Sequence, residues 1–283
     1  MNETITPARI VGSMIEAGAV RARLPALQLL VRSALAGAFL GVATTLAFTV
    51  LAQTGLPIVG ALIFPVGFAM IVVLGLDLIT GSFALLPMAV IAGRATVPEM
   101  LRNWAITFVG NYVGALVLAL LMWVALTSAG HDTGGPVGDK IRGAVAARSA
   151  GYEALGTAGL LTVFVKAMLC NWMVCLGVTM AMMSTSTAGK LLGAWLPIFI
   201  FFAQGFEHAV VNMFVIPAGM MLGAKITFGD WWLWNQVPVT LGILAGGLLF
   251  IALPWFATYA PARGEMRAEA SRAGASRTVA ATP

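Results

Sequence analysis

Two apolar stretches in this chain are too long to cross a bilayer as straight helices. Each is interrupted near its middle by an acid beside a glycine. The first runs from Pro57 to Ala92 and holds Asp77, Thr80 and Ser82. The second runs from Leu191 to Leu222 and holds Gly205, Phe206, Glu207 and His208. A straight helix of roughly 35 residues is about 50 Å long, against a hydrocarbon core of about 30 Å. Both stretches are therefore expected to break into half-helix, short non-helical stretch and half-helix. Such backbone at membrane depth is tolerated only inside protein or along a water-filled cavity. Interrupted helices in both halves of a chain point to a transport site.

The rest of the chain supports a membrane setting. Of its 283 residues, 60% are hydrophobic and only 10% are charged, whereas a soluble domain carries about 25% charged residues. That leaves too little polar surface to cover a water-facing globule. Four further apolar segments run from about Ser33 to Leu51, Asn103 to Thr127, Gly159 to Met183, and Trp231 to Tyr259. The expected fold is an all-α integral membrane protein with six transmembrane helices, because backbone groups in lipid must be satisfied internally. Cys170 and Cys175 lie in one apolar run, five residues apart on different faces. They are read as packing residues, not as a disulfide or a metal site.

The two halves correspond. Gly75-Leu76-Asp77 matches Gly205-Phe206-Glu207 at a separation of 130. Val31-Arg32 opens the first span as Val165-Lys166 opens the fourth, 134 apart. Gly110-Asn111-Tyr112-Val113-Gly114 resembles Gly242-Ile243-Leu244-Ala245-Gly246, 132 apart. Three matches at nearly one separation suggest three helices repeated twice. With three spans per repeat, the second copy enters from the opposite side, so the repeats are inverted.

Lysine and arginine set the expected orientation. One side receives eleven of them, counting the amino terminus, the second and fourth connections and the tail; the other side receives four. Both termini are therefore expected in the cytoplasm of a bacterial-type inner (plasma) membrane. Residues 1–25 would be a cytoplasmic amino-terminal segment with no cleavable signal. Residues 26–260 would form the pore domain, with one long outer loop at 128–157 able to cap a mouth. The Ala/Arg/Ser-rich residues 261–283 would be a disordered tail.

Ionisable residues within apolar runs are functional candidates. Here they are Asp77, Lys166, Glu207 and His208. Lys166 lies near the start of its span and could snorkel to an interface. Asp77 and Glu207 sit beside the breaks, where a carboxylate can accept backbone N–H groups freed at a half-helix start. His208 differs, because imidazole readily gains or loses a proton near neutral pH. Charged, it could attract an anion and hand it that proton. Phe64, Phe68, Phe201, Phe202 and Phe206 surround the breaks, and some could form dry constrictions. A bare anion pays a large desolvation cost at such a ring, and its neutral acid pays far less. A proton donor between two rings would thus favour weak acids over chloride. Thr80 offers a hydroxyl to a passing oxygen.

Leu169-Cys170-Asn171-Trp172-Met173-Val174-Cys175-Leu176 and Gly205-Phe206-Glu207-His208-Ala209-Val210-Val211-Asn212-Met213 closely resemble two signatures of the formate/nitrite transporter family. Gly75-Leu76-Asp77-Leu78-Ile79-Thr80 resembles a third, and similarity extends from about Ala17 to Tyr259. The resemblance implies a homopentamer with an aquaporin-like protomer and one pore per protomer. It implies passage of formate, nitrite or hydrosulfide, or of their protonated acids. By motif, Thr80 is the threonine of the first broken-helix loop, His208 the central pore histidine and Glu207 the acid beside it. Phe68 aligns with one apolar constriction and Phe201 with the other. Asp77, Asn171 and Asn212 carry structural motif roles.

Two departures stand out. Family members usually place a vestibule lysine where this chain has Leu155. They often place an asparagine, bonded to the loop threonine, where this chain has Ile243. The Gly205–His208 stretch and the run Asn212-Met213-Phe214-Val215-Ile216-Pro217-Ala218-Gly219-Met220 look more like formate-type than nitrite-type members. Formate is the first expectation; nitrite, hydrosulfide or a short-chain carboxylate is the alternative. No cofactor, metal or nucleic acid is expected, and no catalytic residue. An aquaporin-like channel for neutral solutes is a second class, and no Asn-Pro-Ala triplet marks it here. A membrane-embedded hydrolase using Ser82 and His208 is a third.

Overall fold

The computed structural model describes residues 5–260. The expected tail at 261–283 lies outside the described residues. The first span is one helix, α2 (Ala26–Thr54), preceded by a shorter helix, α1 (Pro7–Ala22). The second span is interrupted: α3 (Pro57–Ile63) and α4 (Pro65–Val73) precede a non-helical stretch, and α5 (Ile79–Ile91) follows it. The third span is α6 (Val97–Thr127), opened by a capping box in which Thr96 and Glu99 satisfy each other's backbone N–H groups.

The long loop is helical, with α7 (Gly135–Arg148) and α8 (Ala150–Glu153) leading into the fourth span, α9 (Thr157–Met182). The fifth span is interrupted like the second, as α10 (Thr187–Ala203) and α11 (Ala209–Met221). The sixth runs unbroken from Phe228 to Tyr259, as α12 (Phe228–Trp231), α13 (Val237–Gly247) and α14 (Leu253–Tyr259) joined by π turns at Trp232–Gln236 and Leu248–Ala252. Those turns were not foreseen from the sequence. Each lies just before a proline, Pro238 or Pro254. Proline has no N–H to bond the carbonyl four residues back, and the wider turn absorbs the gap.

The repeats correspond in detail. Both breaks span five residues, 74–78 and 204–208, and α5 and α11 both have 13 residues. Gly75 and Gly205 both have φ of 65°, a left-handed conformation that glycine adopts without Cβ penalty. Pro87 and Pro217 fall at the same place inside their half-helices. Close helix packing also repeats. A Cβ on Gly114 of α6 would run into the Ala34 carbonyl of α2, and one on Gly246 of α13 into the Met168 carbonyl of α9. Small residues let backbones approach this closely in lipid, where apolar burial alone does not drive helices together.

Each three-helix repeat also has a further helix in front of it. α1 packs on α5, and α7 packs on α11. α1 begins at Pro7 and α7 carries Pro136 in its first turn. Among the described residues, four helices, α2, α6, α9 and the one from Phe228 to Tyr259, are long and apolar enough to cross a membrane. The interrupted helices complete the six.

Candidate functional site

The sequence placed Asp77 and Glu207 as acceptors for freed backbone N–H groups. The structure corrects this. Both carboxylates are buried, and both turn instead toward arginines on the helix in front of their repeat. Asp77 Oδ1 accepts from Arg21 Nε of α1 at 2.8 Å, and its Oδ2 lies 3.7 Å from Arg32 Nη1. Glu207 Oε1 accepts from the Tyr152 hydroxyl of α8 at 2.8 Å. Its Oε2 accepts from Asn212 Nδ2 at 2.8 Å and lies 3.5 Å from Arg148 Nε. A buried carboxylate needs a countercharge or several donors, and the long reach of arginine supplies one from a neighbouring helix.

Other groups satisfy the half-helix starts. His208 is the residue before α11, and its Nδ1 accepts from the Val210 and Val211 amides at 3.2 and 3.3 Å. At α5, Asn111 of α6 accepts from the Ile79 amide at 2.9 Å and donates to the Ser33 and Asp77 carbonyls. His208 is 3% exposed, and its ring stacks on Phe201 with centroids 5.7 Å apart. Phe201 meets Phe64 edge-on, and Phe64 stacks on Phe202 at 3.9 Å. An aromatic wall therefore lies against the imidazole.

A cavity of about 520 Å³ opens on the α1 side. Phe68, Leu78 and Thr80 line it at the first break, and Arg21 and Lys190 contribute positive charge. Thr80 is fully buried, and its hydroxyl has no hydrogen-bond partner among the described residues. It makes no local bond to backbone, and the apolar Ile243 offers no side-chain partner. Asn171 instead ties the two backbones together, donating to the Thr80 and Ile243 carbonyls. Asn212 joins Glu207 to Asn235 of the sixth span.

The structure thus groups Thr80 and Phe68 around one cavity, and His208, Phe201 and Glu207 around the second break. Leu155 is exposed. Lys166 is half-buried, with Nζ 5.6 Å from the centre of the Tyr152 ring, so it is held by a cation–π contact. Cys170 and Cys175 are free and buried. Sequence reasoning missed Arg21, Asn111, Tyr152 and Asn235. Asn111 was visible as a polar residue inside an apolar span and inside a repeat match; the other three lie at segment ends, where polar residues are ordinary.

Comparison with known proteins agrees with this fold. The sequence profile named formate/nitrite transporter matches residues 8–257. The chain is 35% identical to a probable formate transporter of Methanothermobacter thermautotrophicus, covering 85% of this chain and 92% of that one. It is 35% identical to a formate channel of Bacillus thuringiensis, covering 92% and 98%. It is 34% identical to a nitrite transporter of Salmonella typhimurium, covering 81% and 82%. Among solved structures, an ion channel of the same family superposes with a TM-score of 0.77 at 29% identity, covering 88% of this chain and 99% of that one. A pentameric formate channel with formate bound gives 0.68 at 25% identity, covering 83% and 97%.

Proposed function

Because this chain belongs to the formate/nitrite transporter family, we propose that it passes small monovalent weak-acid anions, formate first among them, through a passage inside each protomer. Its relatives are transporters and channels rather than enzymes. The observation that carries the reading is the state of His208. Nδ1 accepts two backbone N–H groups, so in the neutral ring the proton is on Nε2, where it can be donated.

An anion gathered by Arg21 and Lys190 enters the cavity and passes Phe68, the constriction on that side. At the centre, the His208 Nε2–H bonds one of its oxygens. A water proton taken up at Nδ1 breaks both bonds to Val210 and Val211, so the charged ring persists only while an anion stands beside it. The anion takes the Nε2 proton and passes the Phe201 constriction as the neutral acid, with far less desolvation cost, and the ring left neutral returns its Nδ1 proton to Nε2 through water, restoring both bonds. Chloride has no neutral form at physiological pH and is refused. Glu207, held by Tyr152, Asn212 and Arg148, fixes the backbone beside the histidine. Asp77 does the same at the first break.

The lysine and arginine distribution supports cytoplasmic termini and a bacterial-type inner (plasma) membrane. The amino-terminal segment through Arg23 and the cavity then face the cytoplasm, and α7 and α8 cap the outer mouth. The solved pentameric channel supports five copies here. Exposed apolar side chains such as Leu35, Val42, Val109 and Val117 suit lipid or neighbouring protomers. Formate stands ahead of nitrite because the Gly205–His208 stretch and the run from Asn212 to Met220 resemble formate-type members.

The test is osmotic swelling of proteoliposomes in formate, nitrite, chloride and glycerol. Rapid swelling in formate, slower in nitrite and absent in chloride and glycerol supports the reading. Rapid glycerol entry without anion entry replaces it with a neutral-solute channel.

A further inference from the structure

The last helices of the two repeats, α6 and the sixth span, close differently on the half-helix beside them. In the first repeat the polar side chains along that contact are partnered. Asn103 donates to the Arg21 carbonyl, and Thr107 donates to Asn103. The Trp104 indole donates to the Ser82 carbonyl of α5 at 3.2 Å, and its ring meets Phe83 edge-on with centroids 4.9 Å apart. A large ring therefore shuts the seam between α6 and α5.

The counterparts 132 residues later are Asn235 and Gln236. Asn235 repeats the pattern and donates to the Arg148 carbonyl. Gln236, in the place of Trp104, does not. It is fully buried, its Nε2 donates to the Thr240 hydroxyl of its own helix, and its Oε1 has no partner among the described residues. Asn212 stands where Ser82 stands in the first repeat, 130 residues on. It is also fully buried, and its Oδ1 has no partner. One turn nearer the outer end of the span, the indole Nε1 atoms of Trp231 and Trp232 are buried without acceptors.

These atoms form a continuous column. Trp232 and Gln236 bound the first π turn of the sixth span, a kind of turn often found at functional sites. Asn235, beside Gln236, is bonded to Asn212 at 2.8 Å. The Asn212 amide in turn donates to the His208 carbonyl at 3.0 Å. Buried polar atoms are costly to leave without hydrogen bonds. Two donors followed by two acceptors suit water, which supplies both functions and needs at least two polar partners. Glu207 and Arg148, the charged groups beside the inner end, lie 3.5 Å apart and offset each other. Tyr152 keeps its proton on Glu207, and Phe201 covers the imidazole on another side.

We propose that this seam holds a file of ordered waters that carries protons from the outer surface to His208, apart from the path of the anion. The proposal rests on the transport reading above and deepens it by naming the source of the proton. A proton from outer water enters beside Trp232, which is only partly buried. It moves along hydrogen-bonded water past Gln236 and Asn212 and is taken up at His208 Nδ1. The Nε2 proton leaves with the anion. One N–H bond forms and one breaks, so the ring ends with the charge it began with. The first repeat has no such route, because Trp104 fills the corresponding seam.

The test compares two rates in proteoliposomes. Net formate uptake driven by external acid consumes one proton per formate. Exchange of 13C-formate for formate at equal pH consumes none, because each departing formate returns its proton. Gln236→Leu replaces the amide by an apolar group of similar size, and Trp232→Phe removes an N–H that has no partner while keeping a ring. Each is expected to slow net uptake several-fold and to leave exchange and the melting temperature as in wild type. Wild-type net uptake in both variants overturns the route and leaves the transport reading standing. An equal loss of uptake and exchange also overturns it, since the damage would then lie in the anion's own passage. A wild-type protein that neither takes up nor exchanges formate overturns both.

Discussion

His208 stands in the second repeat where Leu78 stands in the first, 130 residues earlier, at the last residue before a 13-residue half-helix. The backbones agree: φ and ψ are −108° and 139° at Leu78, and −120° and 117° at His208. One imidazole therefore does two jobs. It caps α11 through Nδ1, and in the proposed transport mechanism its Nε2 serves the substrate.

Those jobs separate by substitution. His208→Asn keeps an acceptor for the Val210 and Val211 amides, and His208→Ala does not. The alanine variant should lose about 1 kcal/mol of stability relative to asparagine. Both should lose proton exchange with the substrate, and so the pH dependence of formate uptake. Melting curves in detergent and uptake at several pH values check this; an asparagine variant with wild-type pH dependence would remove the imidazole from the mechanism.

The Arg21–Asp77 pair joins α1 to the first break with one partner almost fully buried. Arg21→Ala leaves a buried carboxylate short of its closest donor and should cost several kcal/mol, on the order of 3. Adding Asp77→Asn should recover much of that loss, because a neutral amide is cheaper to bury. A double-mutant cycle on melting measures the coupling, and strict additivity would mean that the pair is not a unit.

On the other face, Tyr152→Phe removes one of the donors to Glu207 without opening a cavity. Asn212 still holds the carboxylate, so the loss should be about 2 kcal/mol. The change should appear as faster hydrogen exchange in α7 and α8, with α1 unaffected. Equal acceleration on both faces would contradict a local strap.

Lys190 is exposed and lines the cavity mouth. Lys190→Gln should slow formate entry at low ionic strength by a few-fold, and the difference should shrink at high salt, where charges are screened beyond about 3 Å. Initial uptake rates across a salt series test it.

Much of the fold was legible because the lipid constraint is severe. Six spans, two interruptions and the repeat followed from run lengths, from Gly75 and Gly205, and from acids that have no reason to be in hydrocarbon unless protein surrounds them. The partners of those acids were not legible. Arg21 lies 56 residues from Asp77, and Tyr152 lies 55 from Glu207; only folding brings them together. The idea that the carboxylates cap the half-helices came from their positions beside the two breaks, each two residues before a half-helix start. It failed because an arginine is a stronger partner for a buried charge than an amide N–H, and because His208 and Asn111 were available for capping. The unpartnered Thr80 hydroxyl was half visible, since Ile243 stood where an asparagine was expected. The helices α1 and α7 were hidden by mixed composition, with neither a long apolar run nor a strong turn signal.

The central claim is that the substrate crosses as its neutral acid, with His208 moving the proton. It is tested most directly by loading proteoliposomes with a pH-sensitive dye, imposing a formate gradient, and recording luminal pH and membrane current together. The account predicts one proton delivered per formate, luminal acidification and almost no net current. A sustained formate current with no change in luminal pH would contradict it.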